Sequence, residues 1–349
     1  MNSPPLMTRR LFGGSAVVAA AALALPVLRA QAQPETPKIM LSVGGRSALG
    51  YLPLTISAQL GYFKAEGLDV GITDFPGEAA AFSALQTGSA VVCSGTFAKT
   101  IELQAKKQKF QAFVLQGRAP QMVFGVSSRT MPHYRSVADL RGRRIGVSAP
   151  RSSSSLMASL VLLQGGLHVG EVSFVTVGAA GAALAALRAG EIDAISNTDP
   201  VMTTLEQGGD VRIISDSRTL KGTAEVFGGP MPSACLYASA DFIEKNPNTC
   251  QALANAMVHG LKWLQTAGPR DIIETVPDSY WMGERALYLA SFDKARESMS
   301  LDGMFSDDGP RTALNALSRF DASIQPGEID LATTYTNAFA SRAKARFKA

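Results

Sequence analysis

Cysteine, histidine and tryptophan are scarce in this chain of 349 residues, which contains three, three and two of them. The histidines stand far apart, and no HExxH, CxxC or His-x-His spacing occurs, so the sequence predicts no metal site. No GxSxG, P-loop or GxGxxG motif stands in a suitable context either. These absences argue against the enzyme classes that depend on such motifs, and we expect neither enzymatic activity nor a cofactor.

The few cysteines are also uninformative as a disulfide framework. Cys93, Cys235 and Cys250 each lie in an apolar setting, and an odd number leaves at least one unpaired. A disulfide is compatible with an oxidising compartment. Burial as small hydrophobic residues is the favoured interpretation of all three.

Long runs of basic residues are absent as well. Residues 1–32 hold Arg9, Arg10 and Arg29 and no acid. Since three of the 33 basic residues lie there, 30 remain in the rest of the chain against 29 acidic residues. A nearly neutral chain without a basic stripe does not favour a nucleic-acid partner.

The start of the chain carries the most informative pattern. Thr8-Arg9-Arg10-Leu11-Phe12 precedes a short apolar run, Ala16 to Leu28, and the small residues Ala30-Gln31-Ala32 follow. This order predicts an export signal over residues 1–32, cleaved after about Ala32, and the paired arginines are typical of the twin-arginine type. An uncleaved anchor is less favoured, because the run is shorter than the roughly 18–20 residues that a span needs. The mature protein is therefore expected in the bacterial periplasm.

From residue 38 onward, short β-like runs alternate with amphipathic helical ones. Lys38–Val43 is a predicted strand, and Pro53–Glu66 is a predicted helix. Arg144–Val147 and Ser153–Gln164 begin a second series of the same kind. Such alternation predicts an α/β fold in which each of two lobes is a mostly parallel sheet flanked by helices.

The two series and a long helical tail define the expected lobes. We expect residues 33–127 to form the first part of lobe 1 and residues 128–231 to form lobe 2. Residues 232–349 then return to lobe 1 and cover it with helices. A hinge of two crossing segments, near Met122–Ser128 and Gly229–Ala238, would join the lobes.

Ligands of open parallel sheets bind beyond the carboxyl ends of the strands, which selects four loops. These loops are Gly44–Tyr51, Ser94–Thr96, Pro150–Ser155 and Asn197–Asp199. The candidate ligand-binding residues lie in or beside them and offer cationic, hydroxyl, amide or carboxylate groups: Arg46, Tyr51, Ser94, Thr96, Arg118, Arg151, Ser152, Ser153, Ser154, Asn197 and Asp199.

Each candidate has a structural alternative. Ser152–Ser155 opens a predicted helix, where free N–H groups favour an anion, but an ordinary serine N-cap explains it equally. The arginines are suited to a carboxylate or sulfonate, although single arginines are more often surface residues. Tyr51 either stacks on a ligand or packs at a helix start. Asp199 either accepts a ligand N–H or caps the following helix.

Four segments, in order, resemble the substrate-binding proteins of ABC importers of the nitrate/sulfonate/taurine type. Leu52–Val70 resembles the opening of these proteins, and Asp139–Val147 resembles their entry into the second lobe. Ala186–Ala194 and Ala238–Pro247 match two later segments. The resemblance implies a type II periplasmic-binding-protein fold, hinge closure over one small ligand, and delivery to a membrane permease. We expect the protein to be a monomer. The ligand loops depart from the family pattern at Ala90 and at Arg151–Ser155.

Four functions follow from these observations and stay open at this point. The first is capture of a small anion, namely a sulfonate, nitrate or a carboxylate. The second is capture of a thiamine-pyrimidine precursor or another neutral heterocycle. The third is an enzyme resembling a pyrimidine synthase, which the scattered cysteines do not favour because that type carries a cysteine-rich iron motif. The fourth is a ligand-sensing partner of a membrane receptor.

Overall fold

Two five-stranded sheets organise the part of the chain that the structure, a computed structural model, describes: Met1, residues 33–281 and residues 283–349. Residues 33–349 form one unit, and residues 1–32 are a separate unit. Apart from Met1, the predicted export signal lies outside the described residues. In the described part, no helix combines the length and the apolar character needed to cross a membrane.

The first sheet has the strand order β2-β1-β3-β10-β4. Its strands are β1 (Lys38–Gly44), β2 (Asp69–Phe75), β3 (Val92–Thr96), β4 (Phe110–Leu115) and β10 (Ala234–Ser239). β1 pairs in parallel with β2 and β3, whereas β10 runs antiparallel to both of its neighbours.

The second sheet has the order β7-β6-β8-β5-β9. Its strands are β5 (Val123–Ser127), β6 (Arg144–Val147), β7 (Ser173–Thr176), β8 (Ala194–Asn197) and β9 (Val211–Asp216). Here β5 is the antiparallel strand. In each sheet, the antiparallel strand is the one by which the chain enters from the other sheet. The predicted architecture of two mostly parallel sheets is confirmed.

Helices cover both sheets. Their bounds are α1 (Leu52–Gln59), α2 (Tyr62–Ala65), α3 (Glu78–Gln86), α4 (Ala98–Ala105), α5 (Ser153–Gln164), α6 (Gly181–Ala189), α7 (Val201–Gln207), α8 (Leu220–Phe227), α9 (Ala240–Lys245), α10 (Pro247–Thr266), α11 (Pro269–Thr275), α12 (Arg285–Ala295), α13 (Gly309–Phe320) and α14 (Ala338–Phe347). The single helix predicted over Pro53–Glu66 is two helices, because Gly61 adopts a left-handed conformation with φ of 72°.

The chain passes between the sheets twice, after β4 and before β10. β5 hydrogen-bonds with β8 and β9, so it belongs to the second sheet, although the sequence placed the end of the first part of lobe 1 at residue 127. The first crossing is fixed by the segment after α12: Ser300 N–H donates to the Gln116 carbonyl, and Arg118 N–H donates to the Ser298 carbonyl. The lobe limits themselves stay a prediction.

The largest apolar cluster joins the two sheets. It contains Phe97 and Leu115 of the first lobe, Phe124 and Leu156 of the second, and side chains of α13. α13 packs against α4, α5 and α8. The helical tail therefore covers the sheets and also contacts both lobes.

Helices α10 and α14 of the tail pack on the first lobe, whereas α12 also contacts α7 of the second. α10 packs against α1 and α14. The His259 ring of α10 is stacked between the rings of Tyr62 and Phe347, at centroid distances of 3.8 and 4.7 Å. The three cysteines are buried and free, as the sequence favoured.

Candidate ligand-binding site

The loop after β1 carries the first candidate arginine. Gly44 contacts the backbone of Gly77, where a Cβ would lie 2.4 Å from the carbonyl carbon, so this loop lies against the start of α3. The N–H groups of Gly45 and Arg46 both donate to Oδ1 of Asp74 at 2.9 Å. The guanidinium Nε of Arg46 is buried without a hydrogen-bond partner, and the side chain forms no ion pair with a described residue. The Arg46 guanidinium, which we call uncommitted, therefore has no partner among the described residues.

The end of β3 lies next to this loop, because Val43 and Ser94 are paired in the β1–β3 ladder. Ser94 is fully buried, and its Oγ accepts a hydrogen bond from Nε2 of Gln116 at 2.8 Å. The N–H of Thr96 donates to Oε1 of Glu78 at 2.6 Å. The two candidate hydroxyl residues of the first lobe thus lie among groups that already have partners.

Tyr51 belongs to the apolar core of the first lobe and is only 8% exposed. Burial raises the pKa of its phenol well above the ordinary value, and the carboxylate of Glu78 raises it further. The phenol therefore stays protonated at neutral pH. Core packing, the structural alternative for this residue, is what the structure gives.

Serine hydroxyls cluster at the amino end of α5 in the second lobe. The Oγ atoms of Ser148, Ser152 and Ser154 lie 2.8–3.2 Å apart. Ser152 is the N-cap, and its Oγ accepts from the N–H of Ser155 at 3.4 Å. The N–H groups of Ser153 and Ser154, like the Ser153 hydroxyl, donate to no described residue. The first turn of α5 thus keeps free donors.

Arg151 precedes this turn in a left-handed conformation with φ of 57°. Its guanidinium forms an ion pair with Asp321, which follows α13. Hydrogen bonds from Ser323, together with Arg151, lower the pKa of Asp321 to about 2. Arg151 therefore already has a charged partner in the helical tail.

Asn197 lies at the end of β8 and is 1% exposed. The β6–β8 ladder pairs Gly146 with Ile195, so the register brings Asn197 beside the loop after β6. Its Nδ2 donates to the Gly178 carbonyl at 2.9 Å, and its Oδ1 accepts from the Thr198 N–H at 2.9 Å. The amide fixes the two neighbouring loops.

Asp199 is buried, and both of its carboxylate oxygens have partners. Oδ1 accepts from the Thr203 N–H at 2.8 Å, and Oδ2 accepts from Nη1 of Arg218 at 3.2 Å. Arg218, whose side chain is 3% exposed, also pairs with Asp216 and Glu206, at 2.5 and 3.3 Å. The helix-capping alternative therefore describes Asp199.

This ion cluster reaches the helical tail. Nζ of Lys294, on α12, lies 2.6 Å from Oε2 of Glu206, on α7. Arg118 makes a related link, because its Nε donates to the Glu297 carbonyl at 3.0 Å. Arg118 therefore has a partner beside the first crossing.

The structure thus separates the candidates into two groups. Arg46 and the first turn of α5 keep donors available at the carboxyl ends of the two sheets. Three residues at the same edge were not among the candidates: Asp74 and Glu78, which accept from loop N–H groups, and Gln116, which donates to Ser94. The loop after β2 also lies at a carboxyl strand end, but the sequence predicted no candidate there. In the described part of the chain, no group of three His, Cys, Asp or Glu side chains is placed to hold a metal ion.

Comparison with known proteins identifies the family of this chain. The family described as NMT1/THI5 like matches residues 50–269. A protein of known structure from Bordetella bronchiseptica is 48% identical, with a TM-score of 0.86, covering 91% of this chain and 100% of that one. No curated protein matches the chain significantly.

Two more distant structures are similar in fold. The alkanesulfonate-binding protein of Xanthomonas axonopodis, bound to MOPS, has a TM-score of 0.67 at 18% identity, covering 88% of this chain and 100% of that one. The periplasmic nitrate-binding protein of Synechocystis has a TM-score of 0.70 at 12% identity and covers 90% of each chain. These matches confirm the resemblance found in the sequence. The chain therefore belongs to the NMT1/THI5-like family, and its fold is that of the periplasmic substrate-binding proteins of ABC importers.

Proposed function

We propose that the protein is the exported solute-binding component of an ABC importer. In this proposal it captures a small organic or inorganic anion between its lobes, as a monomer, and delivers it to a membrane permease. The observation that carries the anion assignment is the uncommitted Arg46 guanidinium at the carboxyl end of the first sheet.

Arg46 differs in this respect from the other two candidate arginines. Arg118 donates to a carbonyl, and Arg151 pairs with Asp321. A buried donor without a partner is costly, and a carboxylate or sulfonate would remove that cost through a charge-assisted hydrogen bond. Arg46 is therefore the proposed anchor in the first lobe.

The first turn of α5 is the proposed anchor in the second lobe. Its free N–H groups and the positive end of the helix dipole favour negative charge, and the Ser153 hydroxyl adds a donor. Two anchors of the same polarity on two lobes support closure onto an anion, because each lobe alone supplies half of the donors.

The carboxylates of Asp74 and Glu78 restrict the orientation of the ligand. They already accept the loop N–H groups of Gly45, Arg46 and Thr96. An anionic group would therefore obtain its donors from the Arg46 side chain and from α5.

One observation favours a second candidate, a neutral heterocycle such as a pyrimidine. The Oε1 atom of Gln116, whose Nε2 donates to Ser94 at the end of β3, is buried without a hydrogen-bond partner. With the Arg46 donor at the same sheet edge, this acceptor suits a ring that has both N–H and unprotonated nitrogen atoms.

Thermal unfolding of residues 33–349 against a ligand panel tests both candidates. The panel contains nitrate, sulfonates, carboxylates and pyrimidines. A ligand that binds only the folded protein stabilises it by about 2.7 kcal/mol at a hundredfold excess over Kd. A shift with anions supports the first candidate, a shift with pyrimidines alone replaces it with the second, and no shift with any compound contradicts solute capture of these classes.

Two variants locate the site. Arg46→Ala is expected to abolish the shift caused by an anion, because the proposed anchor is removed. Arg270→Ala is the control, since that side chain is 87% exposed and pairs with Glu274 on its own helix. Equal shifts in both variants would remove Arg46 from the site.

A further inference from the structure

A cavity lies on the flank of the second lobe, and we call it the flank groove. It has a volume of about 570 Å³ and lies between α5, the edge strand β7 and the end of α13. Cavities of about 300–1,000 Å³ are the usual size for small-molecule sites. The groove shares Ser155 with the first turn of α5, whereas Arg46, the anchor in the first lobe, does not line it.

One wall of the flank groove is apolar and open to solvent. Leu163, Val169 and Phe174 line it and are 38%, 44% and 37% exposed. Seven large hydrophobic side chains of the described residues are exposed, and three of them border this one cavity. Scattered apolar residues on a surface are ordinary, whereas clustered ones in a concave site indicate a ligand or partner.

Basic side chains line the groove together with the apolar ones. Arg319, at the end of α13, lines the cavity and forms no ion pair with a described residue. Arg151 and His168 line it as well, and the described lining residues include no aspartate or glutamate. Arg151 is paired with Asp321, which does not line the groove. The groove therefore combines exposed apolar side chains with the unpaired Arg319 guanidinium.

We propose that the flank groove binds a free amphiphilic organic anion, meaning a carboxylate or sulfonate that carries an aliphatic chain or a ring. The anionic group lies at Arg319, and the apolar part contacts Leu163 and Phe174. Charge selects the anion, since a cation of equal size meets arginines and no carboxylate. Chain length matters because binding buries the exposed apolar wall.

Isothermal titration calorimetry with octanoate tests this assignment. Octylamine is the probe of matched length and opposite charge, and butyrate is the short anion. Octanoate is expected to bind with one site at the groove. The affinities for octylamine and butyrate are expected to be at least about tenfold lower than for octanoate, since each compound lacks one of the two interactions.

Variants assign the octanoate signal to the groove. Arg319→Ala and Phe174→Asp should each weaken binding about tenfold, by loss of a charge-assisted hydrogen bond and of apolar contact. Arg311→Ala is the matched control, because Arg311 is an exposed arginine of the same helix that does not line the groove. Adding Arg319→Ala to Arg46→Ala should still weaken octanoate binding about tenfold, which separates this site from the one between the lobes.

Several results would overturn the proposal. They are absence of octanoate binding at 10 mM and above (roughly the weak end of specific binding), equal affinity for octylamine, and unchanged affinity in Arg319→Ala and Phe174→Asp. Loss of octanoate binding in Arg46→Ala alone would assign it to the other site. Leu163→Glu is the second apolar-wall variant, for use if Phe174→Asp lowers the melting temperature.

Discussion

Removal of the Arg218 guanidinium should destabilise the second lobe strongly. The side chain is 3% exposed and pairs with the carboxylates of Asp199, Asp216 and Glu206. Asp199 itself is 2% exposed at the side chain. In Arg218→Met, the apolar stem is replaced by a side chain of similar length, so the main loss is the charge and its hydrogen bonds.

The expected magnitude follows from the group that is left behind. Breaking a buried ion pair by removing one partner costs about 3–5 kcal/mol, because the other charge stays buried without compensation. Here that charge is the Asp199 carboxylate, which keeps only its hydrogen bond from the Thr203 N–H. We therefore expect Arg218→Met to lower the free energy of unfolding by about 3–5 kcal/mol, a large share of the roughly 5–15 kcal/mol typical of a domain.

Urea denaturation at pH 7 measures this change as a fall in the midpoint at constant slope. Arg212→Met is the control on β9, because Arg212 is exposed and pairs with no carboxylate among the described residues; its guanidinium contacts Tyr134. The double variant Arg218→Met with Asp199→Asn should lose less than the sum of the single variants, since the uncompensated charge is absent. A loss below about 1 kcal/mol for Arg218→Met would refute the argument that this pair is effectively desolvated.

Three further predictions concern the packed interior. Burial lowers the pKa of His259 from 6.5, so this imidazole binds a proton more tightly in the unfolded chain. The stability that depends on its neutral form should be complete above about pH 6.5 and should fall as the pH drops toward the lower pKa of the folded protein. A melting temperature that rises on acidification from pH 8 to 5 would contradict this. Gly222→Ala should cost about 1–3 kcal/mol in urea unfolding, because its Cβ would lie 1.8 Å from the Asp216 carbonyl oxygen, whereas Gly327→Ala, which meets open space, should cost little. Burial raises the pKa of the Cys93 thiol to about 11, so a thiol reagent at pH 8 should detect it only after unfolding, and fast labelling of the native protein would show that the site opens.

Elements with strong local end signals were predicted with correct bounds. α5 is such a case, because Ser152 caps its start and Gly165 follows its end. The sequence did not predict α8, because Gly222 in its interior weakens the helical pattern. Glycine is needed there because Gly222 lies against the Asp216 carbonyl, a contact that only the folded structure shows. The break at Gly61 was not predicted either, because the sequence is amphipathic with helical spacing on both sides of it.

The location of the candidate site was predictable from the strand ends, but the state of each side chain was not. Arg151 pairs with Asp321, which is 170 residues away, and Asp199 pairs with Arg218, 19 residues away. No local pattern encodes either pairing. Arg46 shows the converse, because its lack of a partner becomes visible only once the surrounding loops are in place.

The position of α13 has a mechanical consequence for lobe movement. Its apolar side chains pack against α4 of the first lobe and against α5 and α8 of the second. A motion that pulled these helices apart would expose that shared apolar surface, at about 25 cal/mol for each Å². We therefore expect the lobes to rotate about an axis close to α13, so that the far side opens while the α13 side keeps its contacts.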